Sequence, residues 1–154
     1  MEIHTDAVIV GSGIAGLYSA LKLPEDMKVV LITKSDLESS DSFLAQGGIC
    51  VQRDDEDYDS YFEDTMKAGH YENRKESVDI MIRGSRAVIK DLVEYGVKFE
   101  QENGEFVYTR EGAHSRPRIL FHEDITGKEI TQTLLDRVRE LSNVTLYEYT
   151  SMTD

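Results

Sequence analysis

Residues 6–17 read Asp-Ala-Val-Ile-Val-Gly-Ser-Gly-Ile-Ala-Gly-Leu, and this stretch decides the fold. Apolar, partly β-branched residues lead into closely spaced glycines, and residues with helical spacing follow, which is the order strand, tight turn, helix. Gly11, Gly13 and Gly16 fit the pattern G-x-G-x-x-G. In that pattern the glycines permit a sharp turn, close approach to a pyrophosphate, and close packing of helix on strand. We therefore favour a dinucleotide site at a helix N-terminus over a merely structural glycine turn.

The composition limits the class of protein. A chain of 154 residues has a one-domain length, and an apolar fraction of 40% is enough for a core. The formal net charge of −13 argues against nucleic acid and anionic membranes as partners. The single cysteine, Cys50, excludes an internal disulfide framework and a cysteine-rich metal site, and it suits a reducing compartment. Without a transmembrane run or a signal-peptide pattern, we expect a cytoplasmic protein. We also expect no metal site, because no metal-ligand spacing is present.

Further strands and helices extend the opening stretch into a parallel sheet. Residues 5–10 predict a strand buried on both faces, because the apolar run does not alternate. Pro24 ends the first helix, and residues 28–33 form the second strand of a βαβ unit. A helix from Thr126 and a third parallel strand over 144–149 continue the same pattern. The predicted fold class is α/β, a Rossmann-like domain with a parallel sheet that begins as βαβ and is incomplete.

The middle of the chain departs from this alternation of strands and helices. An acidic run over 54–64 overlaps apolar residues at helical spacing, which predicts an amphipathic helix with a solvated acidic face. A long helix over 77–95 follows, with Gly96 as its C-cap. Residues 97–108 predict a small β-hairpin around Asn103 and Gly104, as an excursion from the nucleotide fold.

Two polar segments are candidates for ligand contact at the sheet edge. Lys34 stands at the end of the second strand, where an acid usually binds ribose hydroxyls. A lysine there suits a ribose 2′-phosphate, a donor contact in a flavin site, or plain solvation, and the spacing leaves these open. Residues 36–48 form a polar loop that carries the apolar insert Phe43-Leu44-Ala45. We favour ligand contact over an ordinary surface loop, because loops at this edge commonly carry function.

A second candidate site lies in residues 109–118, which read Thr-Arg-Glu-Gly-Ala-His-Ser-Arg-Pro-Arg. Arginine forks bind carboxylates through two parallel hydrogen bonds, and Glu111 can pair with a substrate ammonium. The alternatives are weak surface ion pairs and structural histidines. No histidine spacing here supports a metal.

Four segments together resemble the L-aspartate oxidase family of the succinate dehydrogenase/fumarate reductase flavoprotein superfamily. They are VIVGSGIAGL at 8–17, TKS at 33–35, AQGGI at 45–49 and REGAHS at 110–115. The resemblance runs along essentially the whole chain but covers only the first part of that family's enzyme. It implies that residues 1–154 are the N-terminal part of an FAD-binding domain, without the capping and C-terminal domains, and inactive alone. Unpaired strand edges in such a part favour self-association.

The resemblance implies FAD as the cofactor and Glu111 as the residue that orients the amino group of L-aspartate. A histidine that carries covalent flavin in some superfamily members is absent, so the FAD is non-covalent. Asp41 stands where the family has a small hydroxyl residue, and no catalytic side chain of the family falls within these residues. In the resemblance, Ser12, Gly13, Ile14 and Ala15 hold the FAD pyrophosphate, and Gly11 and Gly16 of the same motif complete this part of the cofactor site. The other implied FAD contacts are Lys34 in place of the usual acid, and Asp41, Ser42, Phe43, Leu44, Ala45, Gln46, Gly47 and Gly48 towards the flavin.

The chemistry implied by the resemblance is oxidation of L-aspartate to iminoaspartate by hydride transfer to FAD, in de novo NAD biosynthesis. Oxygen or fumarate reoxidises the flavin, and quinolinate synthase is a candidate partner. A fumarate reductase or succinate dehydrogenase-like flavoprotein is the alternative within the superfamily. A non-catalytic nucleotide-binding module is the alternative from another class.

Overall fold

A computed structural model describes residues 2–153 of the chain. They form two compact units, one from the described residues of Met1–Gln46 and Gly127–Asp154, and the other from Gly47–Thr126. A 3-10 turn at Asp55–Asp57 precedes the third helix. The other elements are β1 (Ala7–Val10), α1 (Ile14–Lys22), β2 (Val29–Ile32), α2 (Asp41–Leu44), β3 (Ile49–Cys50), α3 (Tyr58–Ala68), α4 (Lys75–Tyr95), β4 (Gln101–Glu102), β5 (Glu105–Phe106), β6 (Ile119–Leu120), α5 (Thr126–Arg139) and β7 (Val144–Tyr147).

A three-stranded parallel sheet with the order β1-β2-β7 organises the first unit. Val30 in the central strand pairs with Val8 on one side and with Thr145 on the other. Helix α1 makes the crossover from β1 to the parallel strand β2, and α5 precedes β7. The predicted α/β, Rossmann-like fold with a βαβ start is therefore confirmed.

The burial of β1 differs from the prediction. Val8 and Val10 are 56% and 53% exposed, and their register partners Val30 and Ile32 are only half-buried. On the opposite face, Val29 and Leu31 of β2 are at most 1% exposed. The prediction of a strand buried on both faces was wrong because only one face of the sheet is well covered, and β1 is in addition an edge strand that pairs with β2 alone among the described residues. One face of β1 therefore remains open.

Helix α1 starts tightly behind β1 because of two glycines. Gly11 has a φ of +106°, a conformation that residues with a Cβ rarely adopt. A Cβ on Gly16 would lie 2.2 Å from the carbonyl oxygen of Gly11. The predicted roles of Gly11 in the turn and of Gly16 in close packing are confirmed.

The second unit packs α3 against α4 around Tyr61, Met66, Val78 and Ile82. Strands β4 and β5 form the predicted hairpin, with Asn103 and Gly104 both at positive φ in its turn. Gly96 caps α4 at a φ of +108°, as the sequence predicts. The antiparallel pair β3–β6 was not predicted, because each strand has only two residues.

A pair of glycine substitutions tests the close contact behind β1. We expect Gly16→Ala to lower the free energy of unfolding by about 1–3 kcal/mol, because the new methyl group overlaps the Gly11 carbonyl. Gly84→Ala in α4 is the matched control, since a Cβ there meets nothing within 4 Å. That change should raise the free energy of unfolding by about 0.5–1 kcal/mol. Urea unfolding of both variants measures the difference, and equal stability of the two would contradict the packing argument.

Candidate functional site

The first unit holds a cavity of about 460 Å³ at the ends of β1 and β2. Five of the residues predicted to bind the cofactor line it, namely Gly11, Ser12, Gly13, Lys34 and Asp41. Six hydroxyl-bearing residues that were not predicted as individual contacts share this wall. Ser39 and Ser40 belong to the polar loop 36–48, which was predicted to contact a ligand, and the other four were missed. The six residues are Thr33, Ser35, Ser39, Ser40, Thr150 and Ser151.

The N-terminus of α1 faces this cavity with backbone groups rather than side chains. Gly13 is the N-cap residue, and no side chain on it caps the helix. The Ile14 N–H donates to Ser42 Oγ at 3.3 Å, so a hydroxyl already lies where a helix start attracts negative charge. Ser12 is buried, and its Oγ lies 3.4 Å from Thr33 Oγ1. The arrangement is suited to bind an anion by backbone N–H groups and hydroxyls.

Other predicted cofactor residues lie beside this cavity without lining it. Phe43 and Leu44 fall in the short helix α2, where the Phe43 N–H donates to Ser40 Oγ at 3.3 Å and Leu44 is 72% exposed. The Ala45 carbonyl accepts from the Gly127 N–H at 2.9 Å, which joins this segment to the start of α5. The predicted residues of the first unit that lie outside the cavity wall are Ile14, Ala15, Gly16, Ser42, Phe43, Leu44, Ala45 and Gln46.

The second unit has its own cavity of about 690 Å³, with Glu111 and Gly48 in its wall. A Cβ on Gly48 would lie 2.3 Å from the Leu120 carbonyl oxygen, so this glycine lets β3 approach β6. A Cβ on Gly47 would lie 3.6 Å from Glu111 Oε2, which places Gly47 next to the predicted substrate-orienting carboxylate. Cys50, Tyr61 and His114 line the same cavity.

Behind this cavity, the guanidinium of Arg118 is fully buried and donates to four side chains. Its Nε and Nη2 donate to the two carboxylate oxygens of Asp57 at 3.2 and 2.8 Å. Its Nη1 donates to Asp64 Oδ2 at 2.6 Å and to His114 Nδ1 at 3.0 Å. Nη2 also donates to Ser60 Oγ at 2.9 Å. All five N–H groups of the side chain are therefore used.

The acidic run is only partly the solvated face that the sequence predicts. Asp57 is 0% exposed, and the Asp64 side chain is 14% exposed. Burial alone would raise the pKa of Asp57, but hydrogen bonds from Arg118, the Arg53 N–H and Ser60 hold that pKa below its usual value. The pKa of Asp64 is lowered in the same way, against burial, by Ser115 and Arg118. The prediction was wrong for these two residues because Arg118, far along the chain, supplies their counter-charge.

The loop that carries Glu111 is fixed to this buried network. Asp64 Oδ2 accepts from both the backbone N–H and the hydroxyl of Ser115, each at 2.7 Å. His114 Nε2 lies 3.1 Å from Cys50 Sγ, and the His114 ring meets the Tyr61 ring edge to face. Burial and the nearby Arg118 charge lower the pKa of His114, and burial raises the pKa of Cys50. The cavity wall therefore combines a carboxylate with a neutral imidazole.

Two kinds of feature are absent from the part of the chain that the structure describes. Over residues 2–153, no helix combines the length and the apolar character needed to cross a bilayer. Within the same residues, no three His, Cys, Asp or Glu side chains are placed together so that they could hold a metal ion.

Comparison with known proteins relates this chain to one family model and to several relatives. A family model described as FAD binding domain matches residues 6–154. The chain is similar to the L-aspartate oxidase of Clostridium perfringens, with 43% identity over 154 residues, which are 100% of this chain and 35% of that protein. It is 44% identical to the L-aspartate oxidase of Clostridium acetobutylicum over 149 residues, covering 96% of this chain and 34% of that protein. The chain thus spans about a third of the length of these relatives.

Solved structures share the fold. A mutant of E. coli quinol fumarate reductase FrdA superposes with a TM-score of 0.90 at 24% identity, covering 96% of this chain and 26% of that chain. Mycobacterium smegmatis Sdh1 in complex with UQ1 superposes with a TM-score of 0.84 at 26% identity, covering 99% of this chain and 29% of that chain.

The buried network predicts a strong effect of one charge on stability. We expect Asp57→Asn to lower the free energy of unfolding by about 3–5 kcal/mol at neutral pH, because it leaves the Arg118 charge poorly paired. Asp136→Asn is the control, since its ion pair with Arg139 is exposed and contributes about 0.5 kcal/mol or less. Urea unfolding measures both changes.

The same residues predict an acid-sensitive stability. The folded-state pKa values of Asp57 and Asp64 lie below the unfolded value of about 3.9, so their contribution is full above that pH and is lost as pH falls through the folded values. The difference in the free energy of unfolding between the wild type and Asp57→Asn should therefore be full at neutral pH and should shrink as the pH is lowered below about 3.9. Urea unfolding over a series of acidic pH values measures it, and a difference that stays constant as the wild type loses stability in acid would count against this account.

Proposed function

Because this chain belongs to the FAD binding domain family, we propose that it is the FAD-binding, N-terminal part of an L-aspartate oxidase. The enzyme would oxidise L-aspartate to iminoaspartate, with oxygen or fumarate as the final acceptor, in NAD biosynthesis. The observation that carries this proposal is Glu111 in the wall of the larger cavity, within a chain that is similar to L-aspartate oxidases along its whole length.

The smaller cavity supports the FAD part of the proposal. Gly13 starts α1 without a side chain of its own at the cap, so the pyrophosphate can approach the backbone N–H groups of the first turn. Lys34 adds a positive charge to the same wall. FAD, when bound, supplies the hydride acceptor, and the protein contributes position and electrostatics.

The larger cavity supports an amino-dicarboxylate as substrate. In our proposal, the Glu111 carboxylate pairs with the α-ammonium of aspartate and so orients the carbon that is oxidised. Succinate and fumarate have no ammonium group, so they would leave this carboxylate without a counter-charge. That difference favours aspartate over the reaction of a fumarate reductase or succinate dehydrogenase-like enzyme.

The remaining sequence-based expectations stay predictions. They are the absence of capping and C-terminal domains from these 154 residues, inactivity of the chain alone, self-association, a cytoplasmic location and quinolinate synthase as a partner. A nucleotide-binding module without catalysis would bind ADP or NAD tightly and show no flavin absorbance after purification, which is the outcome that separates it from our proposal.

Replacing Gly13 tests the pyrophosphate site. Gly13→Asp keeps a good helix N-cap but places a negative charge at the site, so we expect FAD binding to be lost. Gly13→Ala is the matched control, because it adds the same Cβ, 3.1 Å from Ser42 Oγ, without the charge. Titration of FAD by quenching of flavin fluorescence measures both variants. The pyrophosphate assignment fails if Gly13→Asp binds FAD as well as Gly13→Ala does.

Replacing Glu111 tests the substrate. In the enzyme that contains this chain, we expect Glu111→Gln to lower kcat/KM for L-aspartate by roughly tenfold to 100-fold, through loss of a charged hydrogen bond. Fumarate reduction by the same variant should change little. Glu105→Gln in the exposed hairpin is the control. Oxygen consumption with aspartate is the measurement, and an unchanged kcat/KM in Glu111→Gln would remove the main support for aspartate.

A further inference from the structure

The imidazole ring of His114 lies between the Arg118 guanidinium and the Cys50 thiol, and the guanidinium decides which ring nitrogen carries the proton. On one side, Arg118 Nη1 lies 3.0 Å from Nδ1. A guanidinium has no acceptor and is always protonated, so it can only donate to this nitrogen. Nδ1 must therefore carry the lone pair, and the proton of a neutral ring lies on Nε2.

The groups around His114 keep this arrangement. Arg118 itself is held in place by Asp57, Asp64 and Ser60, so its Nη1 cannot turn away from Nδ1 without breaking buried hydrogen bonds. Protonation of Nδ1 would set two N–H groups against each other. Asp64, Asp57 and Glu111 act in the opposite direction by favouring a positive ring, but burial and Arg118 outweigh them and keep the pKa of His114 below its usual value.

The Nε2–H group points to a weak partner in the wall of the larger cavity. Its neighbour at 3.1 Å is Cys50 Sγ, and a sulfur atom is a poor acceptor compared with a carboxylate. His114, Cys50 and Glu111 all line this cavity. A ligand carboxylate that enters can therefore replace the sulfur as the acceptor of the imidazole proton.

We propose that Arg118 is a positioning residue that fixes His114 as the Nε2–H tautomer, and that His114 donates this proton in a hydrogen bond to a carboxylate of the substrate. The inference about substrate rests on the proposed function. His114 would then bind one end of the molecule whose ammonium pairs with Glu111, and Arg118 would act without touching the ligand. Together the two side chains require a cation and an anion on one small molecule, which is the pattern of an amino acid.

The tautomer is tested first, by ¹⁵N NMR of the protein labelled on its imidazole rings. The signals of His114 are assigned by their loss in His114→Gln. We expect Nδ1 to resonate as an unprotonated nitrogen and Nε2 as a protonated one, both in the wild type and in Cys50→Ala. In Arg118→Lys the single ammonium can satisfy the carboxylates but has no planar fork to hold Nδ1, so an averaged signal of two tautomers is expected.

If Arg118→Lys does not fold, the wild type and Cys50→Ala still decide the point. A protonated Nδ1 or an averaged signal in the wild type overturns the proposal. A change of tautomer in Cys50→Ala overturns it as well, since it would assign control of the ring to the sulfur rather than to Arg118.

Calorimetric titration with L-aspartate of the FAD-loaded enzyme that contains this chain tests the contact with substrate. We expect His114→Phe to weaken binding by roughly tenfold to 100-fold, the effect of one hydrogen bond to a charged group. His114→Gln should restore most of the affinity, because its amide nitrogen takes the place of Nε2. In the wild type, the Nε2–H resonance should shift when aspartate is added.

The outcomes separate this inference from the proposed function. Aspartate binding without a shift of the Nε2–H resonance, or with full affinity in His114→Phe, overturns the role of His114 and leaves the function intact. Absence of aspartate binding to the wild-type enzyme overturns the function and the substrate contact together, while the tautomer spectra still test the role of Arg118.

Discussion

The guanidinium of Arg118 is the constraint on which the second unit depends. Removing such a charge from water is costly, and the cost is met only when every N–H has an acceptor and a counter-charge is close. Asp57 and Asp64 supply both, and they come from the 3-10 turn and from α3. The same carboxylate of Asp64 then holds Ser115. One buried cation, directly before β6, thus joins the 3-10 turn, α3 and the loop that carries Glu111.

A different constraint shapes the first unit, where the backbone rather than a side chain is decisive. Gly16 and Gly11 lie so close that no methyl group fits between them, and Gly11 adopts a φ that suits glycine. The result is a helix that begins beside the strand with its polar end towards the smaller cavity. Because the N-terminus of this helix offers only backbone N–H groups, it can bind the phosphates of any dinucleotide and does not distinguish one nucleotide from another. The preference for FAD must therefore come from other residues.

This difference explains what the sequence could predict. The turn after β1, the hairpin at Asn103 and the cap at Gly96 depend on residues that are neighbours in the chain, and all three were predicted correctly. The pairing of Asp57 with Arg118 spans 61 residues, so no local pattern revealed it, and an acidic run was read as solvated. The exposed face of β1 was missed for a similar reason. An apolar run shows that a strand can be buried, but its place in the sheet and the cover on each of its faces depend on elements elsewhere in the chain.

The neighbouring thiol and imidazole in the larger cavity show why the direction of a hydrogen bond matters more than its length. Cys50 Sγ and His114 Nε2, 3.1 Å apart, have the separation of a nucleophile and its general base. A base must accept a proton at the nitrogen that faces the thiol, but Arg118 requires the lone pair of His114 at the opposite nitrogen. Burial also raises the pKa of Cys50, which opposes formation of a thiolate. The pair therefore cannot act as an activated nucleophile, and the chemistry left to this wall is recognition of a ligand by the Nε2 proton and the Glu111 carboxylate.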